Sequence, residues 1–465
     1  MARTRRRDRD GTGRRERTPP PPTRRIRNRE LGLLVLAVVL ILLAYVNLGL
    51  ATQEAIPEDL AVYGTALAGL GLLAHLCVRR FAPAADPLLL PLAFLVNGLG
   101  VVMVRSIDLS LQTARGTEVA FAPQQAMWTL VAVLAFCAVI VGLRDHRVLD
   151  GYRYLIGVGA IVLLLLPSLP IIGQEVNGAR IWLNLGVFSF QPGELAKIGL
   201  AVFFASYLAQ NRQLLQTATN RIGPLRMPPL RSFGPIAAVW AASLLVLINQ
   251  RDLGLSLLLF GMFVLLLYVA TERVAYLLGG SVLFVIGAVF AYQTFDHFRQ
   301  RVEIWQDPFA DASGAGFQIV QSLFAMADGG LFGVGWGGGR PDMIPFSRTD
   351  FIFSAFAEEL GLLGATALLL VYLLLVGRIF AIAVRCRDEF GTLLAACLAI
   401  VFSLQVFVIV GGVTGLIPLS GMTLPFASYG GSALVSNYLL IALVLRVSAA
   451  PAPARPRRPA EGVPS

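Results

Sequence analysis

The chain has 465 residues, 56% of them hydrophobic and 14% charged, with a mean hydropathy of +0.71. A soluble domain carries about 25% charged residues, so this composition excludes a globular cytosolic enzyme and a disordered scaffold and leaves a polytopic membrane protein. The net charge of +10 is uneven: residues 1–30 hold 12 Arg against 4 acids, residues 446–465 hold 4 Arg against 1, and the body between sums to −1. The basic excess therefore belongs to the two ends and does not argue for nucleic-acid binding.

Residues 1–30 read as a disordered, basic cytoplasmic tail, rich in Arg and Pro and nearly empty of large apolar side chains. A membrane span needs about 20 apolar residues. Twelve such runs follow, near 31–50, 60–78, 87–104, 125–143, 153–172, 191–210, 233–250, 253–270, 274–293, 351–376, 391–413 and 428–445. The expectation is an all-α bundle of about twelve transmembrane helices. Residues 447–465 form a second cytoplasmic tail. With the N-terminus inside, thirteen arginines fall in inner short loops and eight in outer ones, and an even span count returns the basic C-terminus to the inside. Cys77, Cys137, Cys386 and Cys397 lie in apolar runs or beside Arg clusters, with neither metal spacing nor a disulfide framework.

The unusual chemistry gathers at the outer side. In Asn177–Lys197 (NGARIWLNLGVFSFQPGELAK), Pro192 suits the first position of a helix capped by Gln191. Glu194 then sits in the first turn, with Lys197 on the same face. Lys197 is the only lysine beside 37 arginines. Ionisable groups inside a span are costly and usually functional; the alternative is a Glu–Lys pair that only satisfies itself. Arg180 and Trp182 precede this span, and Trp182 reads equally as an aromatic-belt anchor. Arg251-Asp252 lies at an outer turn, where it could be a plain ion pair.

The connection 294–350 is far longer than a usual loop. Its aromatics argue for order, and 316–328 (GFQIVQSLFAMAD) has the spacing of an interfacial or re-entrant helix. It ends at Arg348-Thr349-Asp350. Asp350 is placed either to cap the next helix or to serve as a general base at the mouth of a membrane cavity. Finally, 415–432 (GLIPLSGMTLPFASYGGS) breaks the apolar pattern with two prolines, glycines and hydroxyls. Non-helical backbone at membrane depth must be buried or line a cavity, so the segment reads as a broken element lining a site or as an outer loop. There is no Walker A motif, nucleophile elbow or His/Cys metal motif, and His75, His146 and His297 are scattered.

Together and in this order, the stretches Asn177–Lys197, Gln250–Gly254 (QRDLG), Arg301–Gly335, Thr349–Leu362 (TDFIFSAFAEELGL) and Leu416–Ser432 resemble the SEDS family, the RodA/FtsW group of peptidoglycan glycosyltransferases. The resemblance covers about 87–446 and is closest in character to actinobacterial RodA-type members. It implies a ten-span core, to which residues 31–86 add two N-terminal spans, with the large extracellular loop between spans 9 and 10. Gly193 stands where the family often has Ser, and Arg251 where it often has Pro.

The resemblance further implies a polymerase of lipid II in the cytoplasmic membrane, with its active site facing outside and a class B penicillin-binding protein as partner. Asp350 falls on the family's essential carboxylate and Glu194 on its Q-P-x-E acid. The expected substrate-binding groups are Arg180, Trp182, Glu194, Lys197 and Asp252, then Gln318 and Gln321 on the loop helix, then Arg348, Thr349, Ser428 and Tyr429. Cationic help for a departing diphosphate falls to Arg180, Arg348, Lys197 or a divalent cation such as Mg²⁺; no other cofactor is implied. The competing reading is a flippase for lipid-linked precursors, which would use a similar bundle with broken helices.

Overall fold

The computed structural model describes residues 23–116, 120–176, 178–184, 186, 189–216, 220–222, 225–227 and 230–450. The remainder of both tails, residues 1–22 and 451–465, and Asn177 lie outside the described residues. The helices are α1 (Thr23–Gln53), α2 (Leu60–Phe81), α3 (Leu89–Arg115), α4 (Phe121–Gly142), the single turn α5 (Val148–Gly151), α6 (Arg153–Leu165), α7 (Pro192–Gln216), α8 (Leu230–Asn249), α9 (Leu253–Thr271) and α10 (Val274–Thr294). They continue with α11 (Asp296–Gln306), α12 (Phe317–Gly329), α13 (Ile352–Arg385), α14 (Glu389–Val413) and α15 (Gly431–Ala449).

Among the described residues, α1, α2, α3, α4, α9, α10, α13, α14 and α15 are long and apolar enough to cross a membrane. The other three expected spans are helical but less regular: α6 is short, α7 carries Glu194 and Lys197, and α8 contains Pro235. The arrangement is that of a multi-pass helical membrane protein. α14 and α15 are buried along most of their length and form its centre, whereas α10 buries none of its side chains.

Two sequence expectations need correction. Residues 23–30, expected in a disordered tail, are the start of α1, where two of their charges, on Arg27 and Glu30, are neutralised inside the bundle while Arg24, Arg25 and Arg29 stay exposed. Arg27 and Glu30 are both buried and pair at 2.5 Å, and Glu30 meets His75 Nδ1 on α2 at 2.7 Å. The fifth span ends early, at Leu165, where Pro167 denies the helix an amide donor and the chain turns. It then forms a three-stranded antiparallel sheet of β1 (Gly173–Val176), β2 (Ala179–Asn184) and β3 (Ser189–Phe190), with Gln174 opposite Trp182 and Leu183 opposite Phe190. A hairpin, β4 (Asn220–Ile222) with β5 (Leu225–Met227), joins α7 to α8. These short strands lie in connections between helices, and the bundle itself is helical, as expected.

The long connection is ordered by α11 and α12, and α12 matches the expected helix closely. Its neighbour α13 is broken at Gly361, which takes φ 67° and ψ −172°. The chain after α12 fills the break. The Val334 and Gly335 amides donate to the Glu358 and Glu359 carbonyls at 3.1 and 2.9 Å, and the Leu362 amide donates to the Gly330 carbonyl at 2.9 Å. These bonds tie the loop to the helix that Asp350 precedes.

Candidate active site

Asp350 lies in the turn between the long connection and α13. The turn is closed by the Thr349 amide on the Phe346 carbonyl at 2.9 Å, with Phe346 itself at positive φ. The residue at the cap position of α13 is Phe351, whose side chain makes no capping bond. Of the two sequence readings of Asp350, capping is therefore not the one adopted. Its half-buried carboxyl instead meets the hydroxyl of Thr349 and the field of Arg301. Burial pushes this carboxyl up to about 6, with Arg301 and Thr349 pulling the other way.

Arg301, on α11, reaches across to the broken segment 415–432. Its Nη1 donates to the Leu419 and Ser420 carbonyls at 3.0 and 3.1 Å. Trp305, one turn further along the same helix, donates Nε1 to the Gly415 carbonyl at 2.9 Å. The segment is non-helical between α14 and α15, as the prolines and glycines require. At Gly421 (φ +75°), a β-carbon would lie 3.6 Å from Arg301 Nη2 and 3.9 Å from Asp350 Oδ2. The glycine thus leaves one point open to both the acid and the guanidinium.

Asp252 joins this group from the α8–α9 turn. It caps α9, accepting the Leu255 amide at 2.9 Å, so it does not form the plain pair with Arg251 that the sequence allowed. Burial pushes its carboxyl up to about 6, the Leu255 amide and Arg301 oppose the rise, and Glu194 adds to it. The backbone must pass close here: a β-carbon on Gly254 would meet the Ser420 carbonyl at 2.9 Å and Met422 at 2.6 Å.

Glu194 and Lys197 lie deeper. Lys197 is buried and donates to Glu194 at 2.5 Å and to the Gln405 amide oxygen at 2.9 Å. Gln405 passes the connection on, donating to the Thr423 carbonyl at 3.0 Å. Ser436 donates to the Glu194 carbonyl at 2.6 Å, and the Gln191 amide donates to Ser432 at 2.9 Å. The pair thus anchors α7 to α14 and, through Gln405, to the broken segment, while the α7 backbone beside it is held by α15.

Ser428 and Tyr429 hold the Asp350 turn from the other side. The Ser428 hydroxyl donates to the Thr349 carbonyl at 2.6 Å, and the Tyr429 amide donates to the Arg348 carbonyl at 2.8 Å. The Tyr429 hydroxyl donates to Gln124 at 2.6 Å, and the Arg348 guanidinium lies 3.9 Å from the centre of the Phe121 ring, both on the first turn of α4.

The structure thus brings together Glu194, Lys197, Asp252, Arg348, Thr349, Asp350, Ser428 and Tyr429. Arg180 and Trp182 stand apart on β2. Arg180 is exposed, pairs with Glu175 at 3.7 Å, and lines a cavity of about 290 Å³ with Gln250 and Arg251. Gln318 and Gln321 are half-buried on α12, and among the described residues no hydrogen bond links them to Asp350. Two members of the cluster were missed by sequence reasoning. Arg301 opens one of the stretches that carry the resemblance but was given no role of its own, although its spacing from Trp305 puts both on one helix face. Gln405 is a lone amide in an otherwise apolar run, a signal of the same kind as Lys197.

Comparison with known proteins agrees with this architecture. A family model described as "Cell cycle protein", the FtsW, RodA and SpoVE group, matches residues 87–452. A peptidoglycan glycosyltransferase RodA of Mycobacterium tuberculosis is 46% identical over 396 residues, covering 85% of this chain and 84% of the relative. A probable peptidoglycan glycosyltransferase FtsW of Geobacter metallireducens is 35% identical, over 78% of this chain and 94% of the relative. A solved structure described as the structural coordination of polymerization and crosslinking by a peptidoglycan synthase complex superimposes with a TM-score of 0.63 at 29% identity, over 78% of this chain and 97% of that one. The chain belongs to the FtsW, RodA and SpoVE family.

Proposed function

We propose that the chain is a peptidoglycan glycosyltransferase that polymerises lipid II into glycan strands, for cell shape or division. The observation that carries this reading is the convergence of the Asp350 carboxylate and the Arg301 guanidinium on the open position at Gly421. An acid beside a cation, at one end of a helical bundle, is what a transfer between two lipid-linked sugars requires.

The chemistry follows from these residues. Asp350 takes the proton from the 4-hydroxyl of the acceptor sugar. That oxygen forms its bond to the anomeric carbon of the donor as the bond from that carbon to the diphosphate oxygen breaks. The electron pair leaves with undecaprenyl diphosphate. No covalent enzyme intermediate is needed, and direct displacement suffices. Arg301 and Arg348 supply positive charge beside the reacting groups. Should a divalent cation such as Mg²⁺ take part, Asp252 offers the hard oxygen donor that such an ion prefers, beside the substrate's own diphosphate oxygens. Its role when bound would be to neutralise the leaving group.

The positive-inside bias puts both termini in the cytoplasm and the Asp350 cluster at the outer face of the cytoplasmic membrane. A class B penicillin-binding protein would crosslink the strands as they form. The decisive experiment is polymerisation of labelled lipid II by purified protein in detergent, with and without such a partner. Polymer from the wild type and none from Asp350→Ala is expected. Polymerisation by Asp350→Ala at the wild-type rate would remove Asp350 as the base. A wild type that moves lipid II across vesicles but makes no polymer under any condition would favour the flippase reading.

A further inference from the structure

At the opposite ends of α13 and α14 from Asp350, three side chains of unlike chemistry meet. His146 follows α4, Cys386 ends α13, and Asp388 caps α14. The His146 ring is fully buried and its Nε2 lies 3.0 Å from Asp388 Oδ2. Cys386 Sγ lies 3.5 Å from Asp388 Oδ1, and all three potential ligand atoms fall within 4.8 Å of one another. They face a common point over Gly391. A β-carbon there would meet His146 Nε2 at 2.5 Å, Cys386 Sγ at 2.7 Å and Asp388 Oδ2 at 2.8 Å. Glycine is thus what keeps the space between the three groups open.

We propose that His146, Cys386 and Asp388 form a zinc-type metal site, which clamps the α13–α14 turn to the end of α4. One nitrogen, one sulfur and one oxygen are the donor types of a borderline-soft ion, and a thiolate does not suit Mg²⁺ or Ca²⁺. Around a tetrahedral zinc, neighbouring ligand atoms stand roughly 3.3–3.8 Å apart, so the observed spacing needs only small side-chain rotations. The surroundings fit as well. Among the described residues His146 Nδ1 has no hydrogen-bond partner, but it lies 3.5 Å from Asp145 Oδ1, which is where a carboxylate orients a metal-bound histidine. Cys386 and Asp388 line a cavity of about 800 Å³, which gives an ion a way in and a fourth ligand position to water. Asp388 would keep its bonds to Arg147 at 3.2 Å and to the Gly391 amide at 2.7 Å.

The protons balance. On binding, the Cys386 thiol gives its proton to solvent and becomes the thiolate ligand. His146 binds through Nε2 as the neutral imidazole, with its proton on Nδ1 toward Asp145. Asp388 binds as the carboxylate, so one proton is released per ion.

The test uses the full chain, purified in detergent without chelator, loaded with zinc and then passed through a desalting column. One zinc per chain is expected by elemental analysis. In place of zinc, cobalt(II) should give a near-ultraviolet thiolate-to-cobalt band. Cys386→Ser should lose the cobalt band and at least nine-tenths of the zinc, while Cys77→Ser keeps both. His146→Gln is the second variant, in case Cys386→Ser does not elute as a single species. The thermal unfolding midpoint of the wild type should rise with zinc concentration and not with magnesium. Failure of the wild type to retain zinc, or a cobalt band that survives in Cys386→Ser and in His146→Gln, would overturn the proposal. In either case the His146–Asp388–Arg147 contacts are a metal-free latch.

Discussion

Ser428 donates its hydroxyl to the backbone carbonyl of Thr349 at 2.6 Å, one residue before Asp350, and accepts the Leu424 amide at 2.8 Å. One hydroxyl therefore spans the broken segment and the turn that aims the acid. A small misplacement of a reacting group costs on the order of 10²-fold in rate, whereas a neutral hydrogen bond contributes only about 1 kcal/mol to stability. Ser428→Ala should therefore cut polymerisation about 10- to 100-fold while lowering the thermal midpoint only slightly. The measurement is initial rate of polymer formation beside thermal unfolding of the same preparation. An equal, small effect on both would mean that Ser428 does not position Asp350.

The Asp350 carboxyl, pushed up to about 6 from an ordinary 3.8, sets a direction for both rate and stability. The base acts ionised, so the rate should fall as pH drops through about 6. Asp252, also at about 6, can steepen that limb beyond one proton. The stability effect has the opposite sign. Between roughly pH 4 and 6 the folded chain holds a proton that the unfolded chain has released, so stability falls as pH rises through this window and stays level above it. Asp350→Asn removes that burden. It should abolish polymerisation without lowering the thermal midpoint at pH 7.5, a combination that a merely misfolded variant would not show.

These pH effects turn on contacts that differ greatly in how far the sequence reveals them. The apolar runs mark the spans because the bilayer demands a continuous length of them. The prolines and glycines of 415–432 mark the break because they cannot sustain a helix. Helix α12 was legible from its own spacing. By contrast, the helical start at Thr23 depends on Glu30 meeting His75, 45 residues away, and local composition argues for disorder there. In the sheet β1–β2–β3, β3 has only two residues and the six of β2 (ARIWLN) do not alternate. Arg301 and Gln405 acquire their meaning only from carbonyls that the fold brings to them. His146 and Asp388 are 242 residues apart, so no spacing rule could have paired them.

Arg301 offers a test that separates charge from shape. It donates to two carbonyls of the broken segment and also draws the Asp350 carboxyl downward. Lysine carries the charge but not the planar fork. Arg301→Lys should therefore retain part of the activity, and Arg301→Gln should lose on the order of 10²–10³ in rate, as loss of an electrostatic stabiliser does. Without the positive charge, the acid limb of the pH–rate profile should move above its wild-type position near 6. An unmoved limb in Arg301→Gln would show that the guanidinium does not act on Asp350.

The buried Glu194–Lys197 pair makes the sharpest stability prediction. Both ammonium contacts, to Glu194 at 2.5 Å and Gln405 at 2.9 Å, stay within the protein. Removing one partner of such a pair leaves an uncompensated buried charge and costs about 3–5 kcal/mol, whereas replacing both by neutral groups is often tolerated. Lys197→Met alone should lower the yield of folded protein severely. Glu194→Gln combined with Lys197→Met should recover most of it. Thermal unfolding of the wild type, both single variants and the double variant forms a complete cycle. A double variant no more stable than Lys197→Met would mean that the two charges do not compensate each other in the folded bundle.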